Sequence, residues 1–356
     1  MTNPARVTAQ GWDSPEAGER AYAYAKACGI IGKSFVGNRI SALRELRHLS
    51  ELDRLLFSET HGDLSTRELL SDMEKHIERR AVQQILAVVG SYTEPPWLLT
   101  HQLMVYEYND LKICLHHIAS GITKLHQVCD IGPYRTIHFE AFPDLEAMLH
   151  ATEYKFILKK NIKDLKPDSK EFASIETELD THYYLGLMDG LCHLSEDDRA
   201  IAQKILSEEI SLRNWIWALR LRTYFKKSGG ETRRQLMDIR TQTDPVKYLS
   251  TGTLQTIGFP LDSRAPWQGR KWEKFLNPEK PGKQWRIDPR YVQNAASNYL
   301  YQMALRGFHH DPMSVSAIFC FTKIKQFEED LLTSIAEGLT MGISSADVFE
   351  MIGVAA

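Results

Sequence analysis

Residues 318–339 read IFCFTKIKQFEEDLLTSIAEGL, and the class of fold turns on the spacing of that run. Ile318, Phe321, Ile324, Leu331, Leu332, Ile335 and Leu339 recur at helical intervals, which puts them on one stripe of an amphipathic helix. Gly342 ends the pattern, and Ser344-Ser345-Ala346-Asp347 has the spacing of a capping box that opens a short last helix. Ser65 to Glu68 and Ser195 to Asp198 repeat that start signal. After the second of them, Ile205, Leu212, Trp215, Ile216 and Leu219 extend a helix to about Tyr224. Alternating β-branched runs joined by tight turns are missing, so the expectation is an all-α chain.

The chain has 356 residues, 43% hydrophobic and 25% charged, with 43 Lys+Arg against 46 Asp+Glu. That is too apolar and too nearly neutral for a disordered chain. Near-neutrality also argues against bulk attraction to nucleic acid or anionic lipid. Clean apolar runs such as 85–89 and 317–321 fall far short of the roughly 20 residues of a spanning helix. The first 25 residues hold no apolar core of a secretory signal, and the five cysteines stand singly. The expectation is a soluble intracellular chain of several domains with reduced thiols.

Three helical stretches share a local pattern: Glu107-Tyr108-Asn109-Asp110-Leu111, Ser211-Leu212-Arg213-Asn214-Trp215 and Glu328-Glu329-Asp330-Leu331-Leu332. From Glu107 to Ser211 is 104 residues, and from Ser211 to Glu328 is 117. An echo links Ser50-Glu51-Leu52-Asp53 with Thr152-Glu153-Tyr154-Lys155 at a similar offset. Such spacing fits a triplicated helical unit, with repeats expected over 1–135, 136–240 and 241–356. Chance similarity between amphipathic helices is the rival explanation. Within the third unit, 252–289 carries several prolines and reads as a poorly helical Pro/Trp/Arg-rich connector.

Candidate chemistry is sparse. Residues 27–34 read ACGIIGKS, a permissive match to a nucleotide loop in which Lys33 would hold phosphate oxygens and Ser34 a Mg²⁺ ion. Such a loop must follow a buried strand, whereas AYAYAK (21–26) is helix-compatible, and the Walker-B-like LGLMD (185–189) also reads as helix. Adjacent pairs such as His116-His117, His309-His310 and Cys192-His193 lack the spacing that aims two donors at one metal ion. Cys114 and Cys320 lie in apolar patterns and read as small buried thiols. The stretch 264–290, from Arg264 to Arg290, holds eight Lys/Arg interleaved with Trp267, Trp272 and Trp285. It could bind single-stranded nucleic acid by charge and stacking, be an ordered loop whose tryptophans anchor it to a helical core, or form a protein-protein contact through exposed Trp and Arg. Glu208-Glu209 and Glu328-Glu329-Asp330 are expected to form solvated helix faces. No catalytic, cofactor-binding or metal-binding residue is assigned.

These elements together resemble a known family. Tyr22-Ala23-Tyr24-Ala25-Lys26 is similar to the Tyr-x-Tyr-Ala-Arg start of the C subunit of archaeal and bacterial A/V-type rotary ATPases, the equivalent of subunit d of vacuolar ATPases. Tyr106-Glu107-x-x-Asp110-Leu111-Lys112, Leu179-Asp180-x-x-Tyr183-Tyr184 and Ile210-Ser211-x-x-Asn214 with Arg220-x-Arg222 follow in the family's order. The fullest match is Lys323-Ile324-Lys325-Gln326-Phe327-Glu328 through Glu337-Gly338 to Gly342-Ile343. Asp110 and Leu331 stand where the family usually carries Asn, and Ser211 where it carries Asp.

The resemblance implies three helical bundles set with pseudo-three-fold symmetry as a funnel, and a non-catalytic part of the rotor. Its implied partners are central-stalk subunits of the D and F type and the membrane proteolipid ring, on the cytoplasmic face. The implied role is to couple the stalk to that ring for proton or sodium transport, with no cofactor, nucleic acid or membrane span of its own. Two rival readings are a nucleotide-binding enzyme using Lys33 and Ser34, and a nucleic-acid-binding module centred on Arg264–Arg290.

Overall fold

The computed structural model of the chain describes residues 15–57, 64–240 and 248–352. The amino-terminal residues 1–14, included in the signal reading, and the repeat boundary expected at 240/241 touch segments outside the described residues. The thirteen α-helices of the described residues are α1 (Pro15–Ile31), α2 (Ser41–Arg44), α3 (Leu49–Leu56), α4 (Thr66–Val89), α5 (Trp97–Ala119), α6 (Leu145–Leu149), α7 (Lys170–Cys192), α8 (Glu196–Thr223), α9 (Gly229–Arg233), α10 (Thr251–Thr256), α11 (Pro289–His310), α12 (Val315–Thr340) and α13 (Ser345–Ile352). A lone bridge between Arg240 and Tyr248 is the whole of the β-structure among the described residues, so the chain is all-α.

The local signals act where the sequence puts them. Ser65 and Glu68 form the reciprocal capping box of α4. Ser344 accepts the Asp347 N–H at the start of α13. Gly342 adopts φ +75, and the Ile343 N–H turns back to the Gly338 carbonyl at 2.9 Å, closing α12. Asp198 departs from the simple box. Ser195 caps its N–H, but the carboxylate reaches Arg20 of α1 at 2.8 Å and the Val315 N–H of α12 at 2.9 Å. One short-range signal thereby also fastens three helices together.

Helix α12 is the centre of the fold, packing on α1, α3, α4, α5, α8, α11 and α13. Its apolar stripe is fully buried, as is nearly all of 315–322. Helix α5 is almost as enclosed and lies against α7. Gly186 and Gly190, one turn apart on α7, allow the close approach, because a Cβ on Gly186 would stand 2.2 Å from His101 Nε2 and one on Gly190 3.0 Å from the Leu98 backbone. The Walker-B-like 185–189 is therefore a helix-packing segment.

A second apolar cluster holds the connector. Leu212, Trp215 and Leu219 of α8 and Val292 and Ala296 of α11 enclose Trp267, Trp272, Phe275 and Trp285. Trp267 Nε1–H donates to the Pro260 carbonyl at 2.9 Å and Trp285 Nε1–H to that of Asn277 at 3.0 Å. Residues 252–289 form an ordered strap pinned by tryptophans, matching the anchored-loop expectation. The three rings that a nucleic-acid reading would use for stacking are buried.

Candidate functional site

Helices α5, α7, α8, α11 and α12 wall a cleft of about 560 Å³. Its lining mixes charged side chains with apolar ones. Lys112 of α5 pairs with Asp180 of α7, and Lys323 of α12 pairs with Glu209 of α8 at 2.8 Å. Tyr106 of α5 donates to Glu329 of α12 at 2.7 Å, and Tyr184 of α7 donates to Glu209 at 2.8 Å. Each bond joins two different helices, so the walls are cross-braced by polar contacts as well as by packing.

The carboxylates expected on solvated faces are largely in this wall or in the core, which corrects the sequence reading. Glu209 is 7% exposed and Glu328 2%. Burial pushes Glu209 up, but Lys323 and Arg213 outweigh it and hold the group below the ordinary carboxylate range. At Glu329 and Asp330 the compensation falls short of the burial cost. Burial pushes Glu329 up to about 8, with Asp330 and Glu78 adding repulsion. Asp330, open to the cleft yet shielded by its walls, is pushed up to about 6 by the same cause, against Arg213 and Lys323.

An acid whose folded pKa exceeds its unfolded value of about 4.3 favours folding while protonated, and that advantage is lost as pH rises toward 8. Glu329→Gln keeps an acceptor for Tyr106 and removes the ionisation. It is expected to stabilise the chain at pH 8.5 by about 1–2 kcal/mol, cleft water screening the rest, and to be neutral at pH 4.5. Urea unfolding at the two pH values measures the difference; equal effects at both would show that ionisation of Glu329 does not govern it.

Helices α5, α8 and α12 each also place polar side chains on the backbone of a distant segment. Glu107, 2% exposed, accepts the Thr136 N–H at 2.6 Å, the Ile137 N–H at 2.7 Å and the Tyr154 hydroxyl at 3.1 Å. Asp110 accepts the Cys129 N–H at 2.8 Å and meets His126 Nε2 at 2.7 Å. Asn214 accepts the Met237 N–H at 2.8 Å and donates to the Met237 carbonyl at 2.9 Å. Glu328 accepts the Phe35 N–H at 2.5 Å and pairs with Lys325, which also donates to Ser34 Oγ at 3.1 Å. Asp110 therefore holds a loop as Asn214 does, while Leu331 at the third position is apolar and buried. Sequence reading marked these positions as a pattern but missed their clamping role. The only hint was a carboxylate or amide inside an otherwise apolar stripe.

The nucleotide-loop reading meets a specific obstacle. Residues 27–31 are the end of α1, so a helix and not a strand precedes Lys33. The N–H groups of Gly32, Lys33 and Ser34 donate to the carbonyls of Cys28, Ile30 and Ile31, and that of Phe35 donates to Glu328. Ser34 Oγ donates to the Ile30 carbonyl at 3.0 Å. A phosphate cradle needs those backbone donors free, and here they are committed. Among the described residues no group of three or more His, Cys, Asp and Glu could hold a metal ion. His309, His310, Cys192 and His193 are exposed, while Cys114 and Cys320 are buried.

These features define an all-helical protein in which five long helices converge on one cross-braced cleft carrying both charge signs. The family model described as ATP synthase (C/AC39) subunit matches residues 29–351, and the chain belongs to that family of V/A-type ATPase subunits. A protein of Treponema pallidum (strain Nichols), described as uncharacterized, is 26% identical over 339 residues, which span 94% of this chain and 96% of that one. Among the described residues no helix is long and apolar enough to cross a membrane.

Proposed function

We propose that the chain is a non-catalytic rotor adaptor of a V/A-type ATPase. In this reading the cleft receives the end of the central stalk, built of D- and F-type subunits, and the opposite side rests on the proteolipid ring at the cytoplasmic face. The repeats over 1–135, 136–240 and 241–356 form three bundles about a pseudo-three-fold axis, and the body passes torque from ring to shaft during ATP-linked proton or sodium transport.

The observation that carries the reading is the register of the lining. Val105, Glu209 and Gln326 stand at the same 104- and 117-residue offsets as the repeat pattern, and so do Asn109, Arg213 and Asp330. All six line the one cleft. Equivalent positions of α5, α8 and α12 meeting at a common space support a three-fold socket. A wall of both charge signs, braced between helices, suits a protein surface held without slip, because packed interiors resist shear.

Co-purification from detergent-solubilised membranes tests this. The chain is expected to bring down stalk subunits and proteolipid together. Asn109→Trp, an exposed cleft position filled by a large ring, is expected to weaken stalk retention by about tenfold or more without lowering thermal stability. A chain that recovers neither partner, or a variant that retains the stalk as well as the parent does, would sink the reading. Saturable ATP binding by the isolated chain that is lost in Lys33→Ala would replace it with the nucleotide alternative.

A further inference from the structure

The last turn of α8 and the loop after it read RLRTYFKKSGGETRR over 220–234, with six Lys/Arg and one acidic residue. The chain as a whole has more acidic than basic residues, so this end stands apart in charge. It also stands apart in exposure. Tyr224 is 50% and Phe225 61% exposed, and Phe225 is the only phenylalanine among the exposed large hydrophobic side chains of the described residues.

The backbone holds this aromatic pair in a fixed turn. Lys226 takes φ +53, a left-handed conformation uncommon for a residue with a Cβ. The Lys227 N–H closes on the Leu221 carbonyl at 3.1 Å, and Lys226 Nζ caps the Thr223 carbonyl at 2.7 Å. Glu231, the one carboxylate of the stretch, is taken up by the backbone and hydroxyl of Ser228 at 3.0 and 2.9 Å. Arg233 and Arg234 are exposed. The result is an exposed aromatic wedge with cations around it.

We infer that this wedge docks on an anionic phospholipid surface, Tyr224 and Phe225 entering the headgroup layer while Lys226, Lys227, Arg233 and Arg234 meet lipid phosphates. Charge complementarity selects an anionic partner, and the two uncovered rings select one with an apolar layer beneath its charges. The other basic stretch, 264–290, makes the contrast: its tryptophans are buried in the second cluster, so it offers charge without an apolar anchor. The inference rests on this surface and on the family's membrane-bound setting, not on what enters the cleft, so either can fail alone.

Flotation of the full chain with vesicles tests it. Vesicles of phosphatidylcholine with about one-third phosphatidylserine are expected to carry the chain at low salt. Phosphatidylcholine alone is expected to leave it behind, and binding should fall as salt rises. Phe225→Ser with Tyr224→Ser, and separately Lys226→Glu with Lys227→Glu, should each weaken binding by about tenfold or more. Circular dichroism should show unchanged helicity in both. Lys280→Glu with Lys283→Glu in the connector should weaken it at most about twofold. Failure of the parent chain to float with anionic vesicles would overturn the proposal. So would aromatic variants that bind like the parent, which would leave only diffuse charge attraction, or a connector variant that loses as much as the wedge variants.

Discussion

Glu328→Ala is expected to cost about 3–5 kcal/mol of folding stability, read as a lowered urea midpoint with the slope retained. Lys325 and Glu328 are each 2% exposed and lie one turn apart on the central helix α12. Burial drives the Lys325 ammonium below its ordinary pKa, and Glu328 is the nearest group that opposes this. Removing the carboxylate leaves a buried cation whose remaining hydrogen bond among the described residues is to Ser34 Oγ, and strands the Phe35 N–H that Glu328 accepts. Two penalties then act at one point. Lys325→Met combined with Glu328→Gln removes the charge and keeps an acceptor for Phe35. It should recover most of the loss, because a buried pair replaced whole costs far less than one broken. If Glu328→Ala alone were neutral, the pair would be solvated in solution and the anchorage of the 32–36 segment would have to lie elsewhere.

The second large effect is expected at Trp215. Truncation to Ala should cost about 3–5 kcal/mol, since the ring is 1% exposed and forms the floor on which the connector rests. Its centroid lies 5.0 Å from Trp272, 6.1 Å from Trp267 and 6.4 Å from Phe275. The cavity left behind faces the strap and not only α8, so the loss should appear as a local event as well. Limited proteolysis should cut within 258–288 at least tenfold faster, roughly as expected if about 1.4 kcal/mol or more of the loss falls on local opening. Trp215→Phe should cost much less, because the indole N–H has no hydrogen-bond partner among the described residues and an aromatic ring remains to pack. Equal proteolysis of parent and Ala variant would mean that Trp267, Trp272 and Trp285 pin the strap without Trp215.

The family resemblance rested on residues that turn out to differ in their physical work. Tyr106, Asp180, Tyr184, Arg213 and Lys323 line the cleft. Glu107, Asp110 and Glu328 stand outside its lining and tie loops to α5 and α12, while Asn214 both lines the cleft and ties a loop to α8. The pattern in the sequence is thus two patterns laid over one another, one lining a space and one fastening the scaffold behind it. At Asp110 the change from the family's usual Asn keeps the acceptor for a backbone N–H and lets His126 serve as its partner. At Leu331 no clamp is possible, and the position packs in the core instead.

Helix positions, their caps and the absence of alternating strands were readable from the chain because they depend on neighbours within about one turn: a Ser three residues before a Glu, a Gly after the last apolar residue, a stripe at helical period. The strap at 252–289 was readable as poorly helical for the same reason, through its prolines, and α10 and two short turns are its only helical pieces among the described residues. Which charges are buried was not. Glu328 has the local appearance of a solvated helix face, and its burial is set by Phe35, 293 residues away in sequence. Asp198 has the appearance of a plain capping residue until Arg20, 178 residues distant, reaches it. Lys33 and Ser34 look like a phosphate loop until their N–H groups are seen to be spent on the turns that close α1. A side chain's partners are chosen by which helices pack together, and packing sums weak contacts over the whole chain, so tertiary structure alone decided where the carboxylates of this protein lie.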